Sequence, residues 1–313
     1  MTLQIVRYSE SDKSSWDFFL SKCKNKHFMF HRDYMDYHAD RFEDFSLLIY
    51  DDKGKLIALL PANKKEKTVY SHQGLTFGGL LIDEKMRTEL MVDIFTTLID
   101  FLKKADFDKL VYKCMPHIYH SLPAEEDRYG LFLNEARLIR RDVSSTISLS
   151  KGARYSKGRE WSINKAKKEG ILVAEADSLD EYWRLLEGVL GSQHKAAPVH
   201  TKEEMALLQT KFPDNIKVYI AKLADEVIAG AVIYENEGIV HTQYLANSDA
   251  GRETGALDLV IDHLITTVYA SKQYFDFGIS NEDSGRILNT GLIAQKEGFG
   301  ARPIVHDFYE LDI

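Results

Sequence analysis

The residues best suited to chemistry lie between Gly238 and Ala301. An apolar run, GIVHTQYLAN, leads into a glycine-bearing turn from Gly251 to Gly255. An amphipathic run GALDLVIDHLI follows, then a second apolar run YFDFGIS, then NTGLIAQKEGFGA. Strand, glycine turn, helix, strand and helix is the order in which an α/β protein holds a phosphate-bearing cofactor, because free N–H groups and the dipole at a helix start both favour an anion. Gly251 and Gly255 allow close backbone approach and unusual dihedral angles. His241 and Asp276 sit on the two apolar runs. An imidazole titrating near neutrality is a natural proton acceptor; a strand histidine or a strand-end carboxylate can equally be a hydrogen-bonded part of the scaffold. Alternation along a strand puts His241 and Gln243 on one face and Thr242 and Tyr244 on the other, so these residues are not expected to line one pocket together.

Two further segments carry groups for a ligand. Ser156 to Gly170 holds Lys157, Arg159, Lys165, Lys167 and Lys168 against Glu160 and Glu169. Such a local excess suits a nucleotide sugar, cofactor phosphates or the acceptor end of tRNA, or simply forms a solvated helix face. The loop 191–200 presents Gln193, His194, Lys195 and His200 beside the restricted Pro198, as an acceptor-substrate loop or an ordinary connection.

The elements that must position these groups occur twice. Apolar runs around an Asp-Lys-Gly turn, FSLLIYDDKGKLIALLPANKKEKTVY, predict antiparallel strands, and IKVYIAKLADEVIAGAVIYENEGIVHTQYL repeats the pattern. An offset of 171 residues that places Ile57-Ala58 on Ile228-Ala229 also places Val69-Tyr70 on Val240-His241. Each copy continues into an apolar helix and a further strand. Between the copies, Ser156–Glu169 reads as a helix stopped by Gly170, Ser178–Leu190 as one with a Ser178/Glu181 capping box, and Thr201 with Glu204 as the start of a third. The expected division is 1–145 and 146–313. The first copy lacks the glycine-bearing turn, so it is expected to bind no cofactor and to offer one wall of an acceptor cleft.

The 313 residues, 44% hydrophobic and 28% charged, suit two soluble domains. A net charge of −8 argues against a surface built as a whole for nucleic acid or anionic membrane. Cys23 and Cys114 are the two cysteines and have no metal-ligand spacing, so neither a disulfide framework nor a zinc site is expected. The first residues lack the basic-then-apolar plan of a signal peptide, and the longest apolar run is broken by Asp258, Asp262 and His263, so no membrane span and a cytoplasmic protein are expected.

On these residues the last third resembles the GNAT superfamily of acyl-CoA N-acyltransferases: strand IVHTQYLA, turn SDAGRETGA, helix LDLVIDHLI, strand YFDFGIS and the closing N-T-G-L-x-x-x-K-x-G-F-G. The tandem copies, the basic INKAKKEGI helix, FDFG and the GFGA ending resemble its Fem-like branch, whose peptidoglycan members use aminoacyl-tRNA. The resemblance spans most of residues 40 to 310. It implies an α/β (α+β) fold of two tandem GNAT-like domains, each a mixed, mostly antiparallel sheet flanked by helices. It implies acetyl-CoA or another acyl-CoA as cosubstrate, with no metal, against Leu245, Ala246, Gly251, Arg252, Glu253, Thr254, Gly255, Ala256, Asn289 and Lys296. Catalytic roles fall to His241, Tyr244 and Asp276, with backbone N–H groups from Tyr244 to Ala246 on the carbonyl oxygen. Substrate contacts fall to Gln193, His194, Lys195 and Arg159. Two departures stand out: Leu257 replaces the second small residue of the Arg-x-x-Gly-x-Gly/Ala signature, and Lys296 stands where many GNAT enzymes carry a thiolate-protonating tyrosine. The implied function is transfer of an acyl group, first of all acetyl, to a small-molecule amine such as an amino-sugar nucleotide for cell-envelope polysaccharide. Aminoacyl transfer from tRNA to peptidoglycan peptides, and a non-catalytic binding protein on the same scaffold, are the alternatives.

Overall fold

A computed structural model describes residues 2–191 and 197–313. In chain order the elements are β1 (Gln4–Arg7), α1 (Lys13–Leu20), α2 (Arg32–Met35), β2 (Glu43–Asp44), β3 (Leu47–Tyr50), β4 (Leu56–Leu60), β5 (Asn63–Lys65), β6 (Thr68–Tyr70), β7 (Leu81–Ile82), α3 (Thr88–Lys104), β8 (Lys109–Lys113), α4 (Glu126–Leu133) and β9 (Arg137–Ser148). They continue with α5 (Lys157–Lys168), β10 (Leu172–Glu175), α6 (Asp180–Val189), α7 (Lys202–Lys211), β11 (Ile216–Leu223), β12 (Glu226–Glu235), β13 (Ile239–Asn247), α8 (Asp249–Thr254), α9 (Ala256–His263), β14 (Tyr274–Ile279), β15 (Asn281–Glu282), β16 (Ile287–Leu288), α10 (Thr290–Glu297) and β17 (Arg302–Asp312).

The chain forms two compact units: Met1–Asp142 with Asp283–Ile287 and Val305–Ile313, and Val143–Glu282 with Leu288–Ile304. The expected 146–313 domain is therefore corrected at its end. Phe308–Asp312 of β17 pair antiparallel with Lys113–Lys109 of β8, so the last strand completes the first unit's sheet. The first unit has one sheet in the order β1-β3-β4-β7 and a second containing β17-β8-β6-β5-β2. Helix α3 buries Met91, Ile94, Phe95, Leu98 and Leu102, the three-and-four spacing of an amphipathic helix, into the core with Leu47, Ile49, Leu60 and Leu110.

In the second unit the strands run β10-β11-β12-β13-β14, followed by the end of β9. All neighbours are antiparallel except β13 with β14, which are parallel. One face packs on α9, where Ala229, Ala231, Ile233 and Val240 join one core with Val260 and Ile261. Helix α6 packs against β12 and β13. Gly230 makes that approach close, because an added Cβ there would lie 2.7 Å from the Tyr182 ring. The boundaries of α5 and α7 follow local bonding: Ser156 caps α5 through the Arg159 N–H, Gly170 follows it at φ +76°, and Thr201 with Glu204 forms a complete capping box on α7. Helix α6 departs from expectation. It begins at Asp180 after Leu179, and Ser178 instead accepts the Asp180 N–H at 3.2 Å, so no Ser178/Glu181 capping box forms. Among the described residues no helix is long and apolar enough to cross a membrane.

The 171-residue offset has a structural counterpart. In the first unit β6 and β8 pair in parallel with Val69 opposite Leu110 and Tyr70 opposite Val111; in the second, β13 and β14 pair in parallel with Val240 opposite Phe275 and His241 opposite Asp276.

Candidate functional site

The site begins where two strands part. Among the described residues the parallel pairing of β13 with β14 ends at His241 and Asp276, while β13 stays bonded to β12 as far as Asn247. The backbone from Thr242 to Asn247 thus has one side without a strand partner, open to a ligand's own polar groups. On the other side of β14, Asp276 lies opposite Thr146 of β9, and the ladder is irregular before it resumes at Ile279 and Ser144. Gly278, inside that irregularity, has φ +76°.

A bulge corrects the expected alternation along β13. Thr242 lies opposite Ile233 and Tyr244 opposite Val232, so Gln243 is the extra residue. Cross-strand partners share a face, and Tyr234, Val232 and Gly230 share one face of β12; their partners His241, Tyr244 and Ala246 therefore share it too. Alternation without a bulge had separated His241 from Tyr244. The bulge brings them to the face that meets α6.

His241 Nδ1 lies 2.8 Å from Asp276 Oδ2. Asp276 is fully buried, and its other oxygen accepts hydrogen bonds from Ser144 Oγ at 2.6 Å and Thr146 Oγ1 at 2.7 Å. Three donors satisfy a carboxylate that would be costly to bury bare. With Asp276 ionised, Nδ1 carries the imidazole proton and Nε2 keeps its lone pair. Gly278 lies close to the same ring, since an added Cβ there would come within 3.0 Å of His241 Cε1. Ser144 and Thr146 were not identified from the sequence. Their alternation on a polar strand was the available signal, but their target lies 130 or more residues away. Tyr244, the third catalytic candidate, meets His200 rather than His241: its hydroxyl lies 2.7 Å from His200 Nδ1 and accepts the His200 N–H at 3.2 Å. Its ring lies edge-on to Trp183 of α6 at 5.8 Å, and burial raises its phenol pKa.

A cavity of about 680 Å³ in the second unit is lined by Leu245 and Asn247 of β13, by Arg252, Gly255, Leu257 and Asp258, by Arg159 and Ser162 of α5, by Val189 of α6, and by Asn289, Leu292 and Gln295 at α10. Of the expected cofactor residues, Leu245, Arg252, Gly255 and Asn289 line it.

The glycine-bearing turn is not a turn. Residues 249–254 are helix α8, capped by Ser248 Oγ, which accepts the Gly251 N–H at 3.0 Å, and closed by Gly255 at φ +82°. The N–H groups of Gly251, Arg252 and Gly255 are therefore spent within this short helix. Serine at the start and glycine past the end were its sequence signal. Gly251 packs against Asn247 and the Ile228 carbonyl, Glu253 offers its carbonyl to Lys165 and Thr254 Oγ1 bonds to the Ala250 carbonyl. None of the three lines the cavity. The next helix start is the one with donors that its own helix does not use: the first turn of α9 spans Ala256, Leu257 and Asp258, and the last two line the cavity. The residues present thus fit a diphosphate one turn later than expected, with Arg159 and Arg252 beside it.

Lys296 is buried and lies off the cavity wall. Its Nζ donates to the carbonyls of Gly278 and Ile279, each at 2.8 Å, and burial pulls its pKa down to about 8 although Asp276 opposes the shift. Asn289 caps α10 by accepting the Leu292 N–H at 3.0 Å and donates to Glu282 Oε1 at 2.9 Å. Arg159 Nη1 lies 2.7 Å from both carboxylate oxygens of Asp258, Lys167 pairs with Asp262 at 3.0 Å, and Lys165 donates to the Glu253 carbonyl at 2.6 Å. Much of the basic face of α5 is therefore committed to α8 and α9. Ala246 is buried. Gln193, His194 and Lys195 lie outside the described residues. Among the described residues no group of three or more His, Cys, Asp or Glu is placed to hold a metal ion.

Residues 159–284 match the family described as acetyltransferase (GNAT) domain. A comparison with curated proteins found no match. Among solved structures, FemX superposes with a TM-score of 0.66 at 10% identity, over 97% of this chain and 96% of that one. L-PGS from Bacillus licheniformis superposes at 0.64 with 12% identity, over 95% and 91%. A tandem GNAT protein from the clavulanic acid biosynthesis pathway superposes at 0.52 with 12% identity, over 99% and 98%. At these identities the likeness is one of fold.

Proposed function

We propose that this chain, an acyltransferase with a GNAT domain on the Fem-like tandem GNAT fold, moves an acyl group, acetyl first among them, from acyl-CoA to the amine of a small molecule. The observation that carries this reading is the His241–Asp276 pair at the point where β13 leaves β14. His241 Nε2 takes the proton that the amine loses as its lone pair adds to the thioester carbonyl. Asp276, held by Ser144 and Thr146, keeps the imidazole in the accepting tautomer and stabilises the imidazolium that forms. Backbone N–H groups of the parted stretch of β13, around Tyr244 to Ala246, bond the developing oxyanion. The start of α9 and Arg159 face the diphosphate. The cosubstrate supplies an activated carbonyl and a thiolate leaving group.

In this reading the acceptor is an amino-sugar nucleotide of the kind used for envelope polysaccharide, and the protein works in the cytoplasm. Aminoacyl-tRNA is the rival donor. The pairing of Lys165 and Lys167 with α8 and α9 favours acyl-CoA, because it removes cations from the face that would track a phosphate backbone. Calorimetric titration with acetyl-CoA, CoA and aminoacyl-tRNA tests the reading: saturable binding of acetyl-CoA is expected, and binding of the tRNA without any CoA species overturns it.

A further inference from the structure

The end of the cavity suited to an anion already holds one that belongs to the chain. Asp258 stands in the first turn of α9, where the helix dipole stabilises negative charge, and only 5% of the residue is exposed. It lines the cavity and meets Arg159 through both carboxylate oxygens. Arg159 has other supports. Its guanidinium lies 5.1 Å from the centre of the Phe299 ring, and its Nε lies 3.2 Å from where a Cβ on Gly298 would stand. Arg159 thus has contacts at the cavity besides the carboxylate. Of the positive features that face the cavity, the helix start and Arg159 have the same internal carboxylate beside them, while Arg252 lines the cavity apart from it.

We propose that Asp258 is a built-in competitor for the diphosphate end of the cavity. An incoming anion must take Arg159 from Asp258 and shares the dipole at the α9 start with it. A ligand carrying one negative charge exchanges like for like and gains little, whereas a diphosphate brings more charge and further acceptor oxygens to the same donors. Asp258 therefore sets a charge threshold on what the cavity retains, and lowers the affinity for the ligand it does retain. The identity of that ligand as acyl-CoA rests on the function proposed above; the competition does not.

The test uses inorganic pyrophosphate as the probe, titrated calorimetrically into the whole protein and into Asp258→Asn and Asp258→Ser. Both variants remove the charge, and serine is well suited to a first helical turn, so the pair separates loss of charge from loss of fold. Both are expected to bind pyrophosphate about tenfold more tightly than the unchanged protein, and Arg159→Gln about tenfold more weakly. Pantetheine, which lacks the diphosphate, should bind all four proteins alike. Equal or weaker pyrophosphate binding by both neutral variants overturns the proposal. CoA titrated into the unchanged protein reads the functional assignment separately: if CoA fails to bind while the neutral variants gain affinity for pyrophosphate, the competition stands and the cosubstrate is wrong.

Discussion

The two copies of the scaffold part company one residue beyond the same parallel pair. In the first copy the pair is Tyr70 with Val111, and the residues that follow stay bonded to β8. The Ser71 N–H bonds to the Val111 carbonyl, and Ser71 Oγ accepts the Lys113 N–H at 2.7 Å. Lys113 Nζ reaches the carbonyls of Gln73 and Leu75, at 3.1 and 2.7 Å. A Cβ on Gly78 would stand 1.7 Å from the Ser71 carbonyl oxygen, so only glycine fits. In the second copy the pair is His241 with Asp276; β13 runs on along β12, and the cavity is lined in part by its later residues. Shared topology makes the parallel pair in both units. Whether the backbone beyond it faces its own chain or a ligand depends on where the next few residues go. Each unit pins this region with a lysine that donates to two carbonyls, yet the first comes from a strand and the second from α10.

The strongest way to break this comparison is to remove the chemistry from one copy and the polar group of the equivalent residue from the other. His241→Ala should lower turnover about 10²- to 10⁴-fold, Asp276→Asn somewhat less, and Tyr70→Phe not at all, in a steady-state assay with acetyl-CoA. Unaltered turnover in His241→Ala removes it as the base.

The lysines come next. Lys296→Met should cost about 2–4 kcal/mol in urea unfolding, since two buried carbonyls lose their donor, and Lys113→Met should cost a similar amount through Gln73 and Leu75. A smaller effect on one side would mean that the two clamps are not equivalent.

Their titration gives a third test. Burial pulls Lys113 down to about 7 and Lys296 down to about 8, so between those values and the ordinary 10.5 the unfolded chain binds more protons than the folded one. Stability from these two groups should therefore rise as pH climbs from about 7 to 10, by about 1–3 kcal/mol. The rise should be smaller in either methionine variant.

The smallest effect belongs to Gly278→Ala. A left-handed residue with a Cβ costs about 1–2 kcal/mol, and the new methyl group would press on the His241 ring. Turnover should fall about tenfold while acetyl-CoA affinity is kept. Loss of affinity instead would place Gly278 with the cavity rather than with the base.

Much of this architecture was legible locally. Ser156, Gly170, Thr201 and Glu204 mark helix ends through bonds that span three or four residues, and the strand pattern around Asp51 to Gly54 recurs around Ala224 to Asp225. The offset that laid Val69-Tyr70 on Val240-His241 picked out both parallel pairs, because a repeated hydrophobic period reflects a repeated buried face. Local bonding also made α8, although glycine content suggested an open turn there: the Ser248 cap and the left-handed Gly255 outweigh it.

Tertiary structure decided the site. His241 and Asp276 lie 35 residues apart, and Ser144 and Thr146 lie more than a hundred residues from the carboxylate they hold, so no local period links them. The bulge at Gln243, which turns Tyr244 to the same face as His241, exists only in the pairing of β13 with β12. The return of β17 to β8 and the pairing of Arg159 with Asp258 likewise depend on segments brought together by folding. Sequence by itself determined the elements and their repetition, because hydrophobic period and capping act over a few residues. Which side chains share a face, a charge or a cavity was decided by strand register and helix packing, which act between residues far apart in the chain.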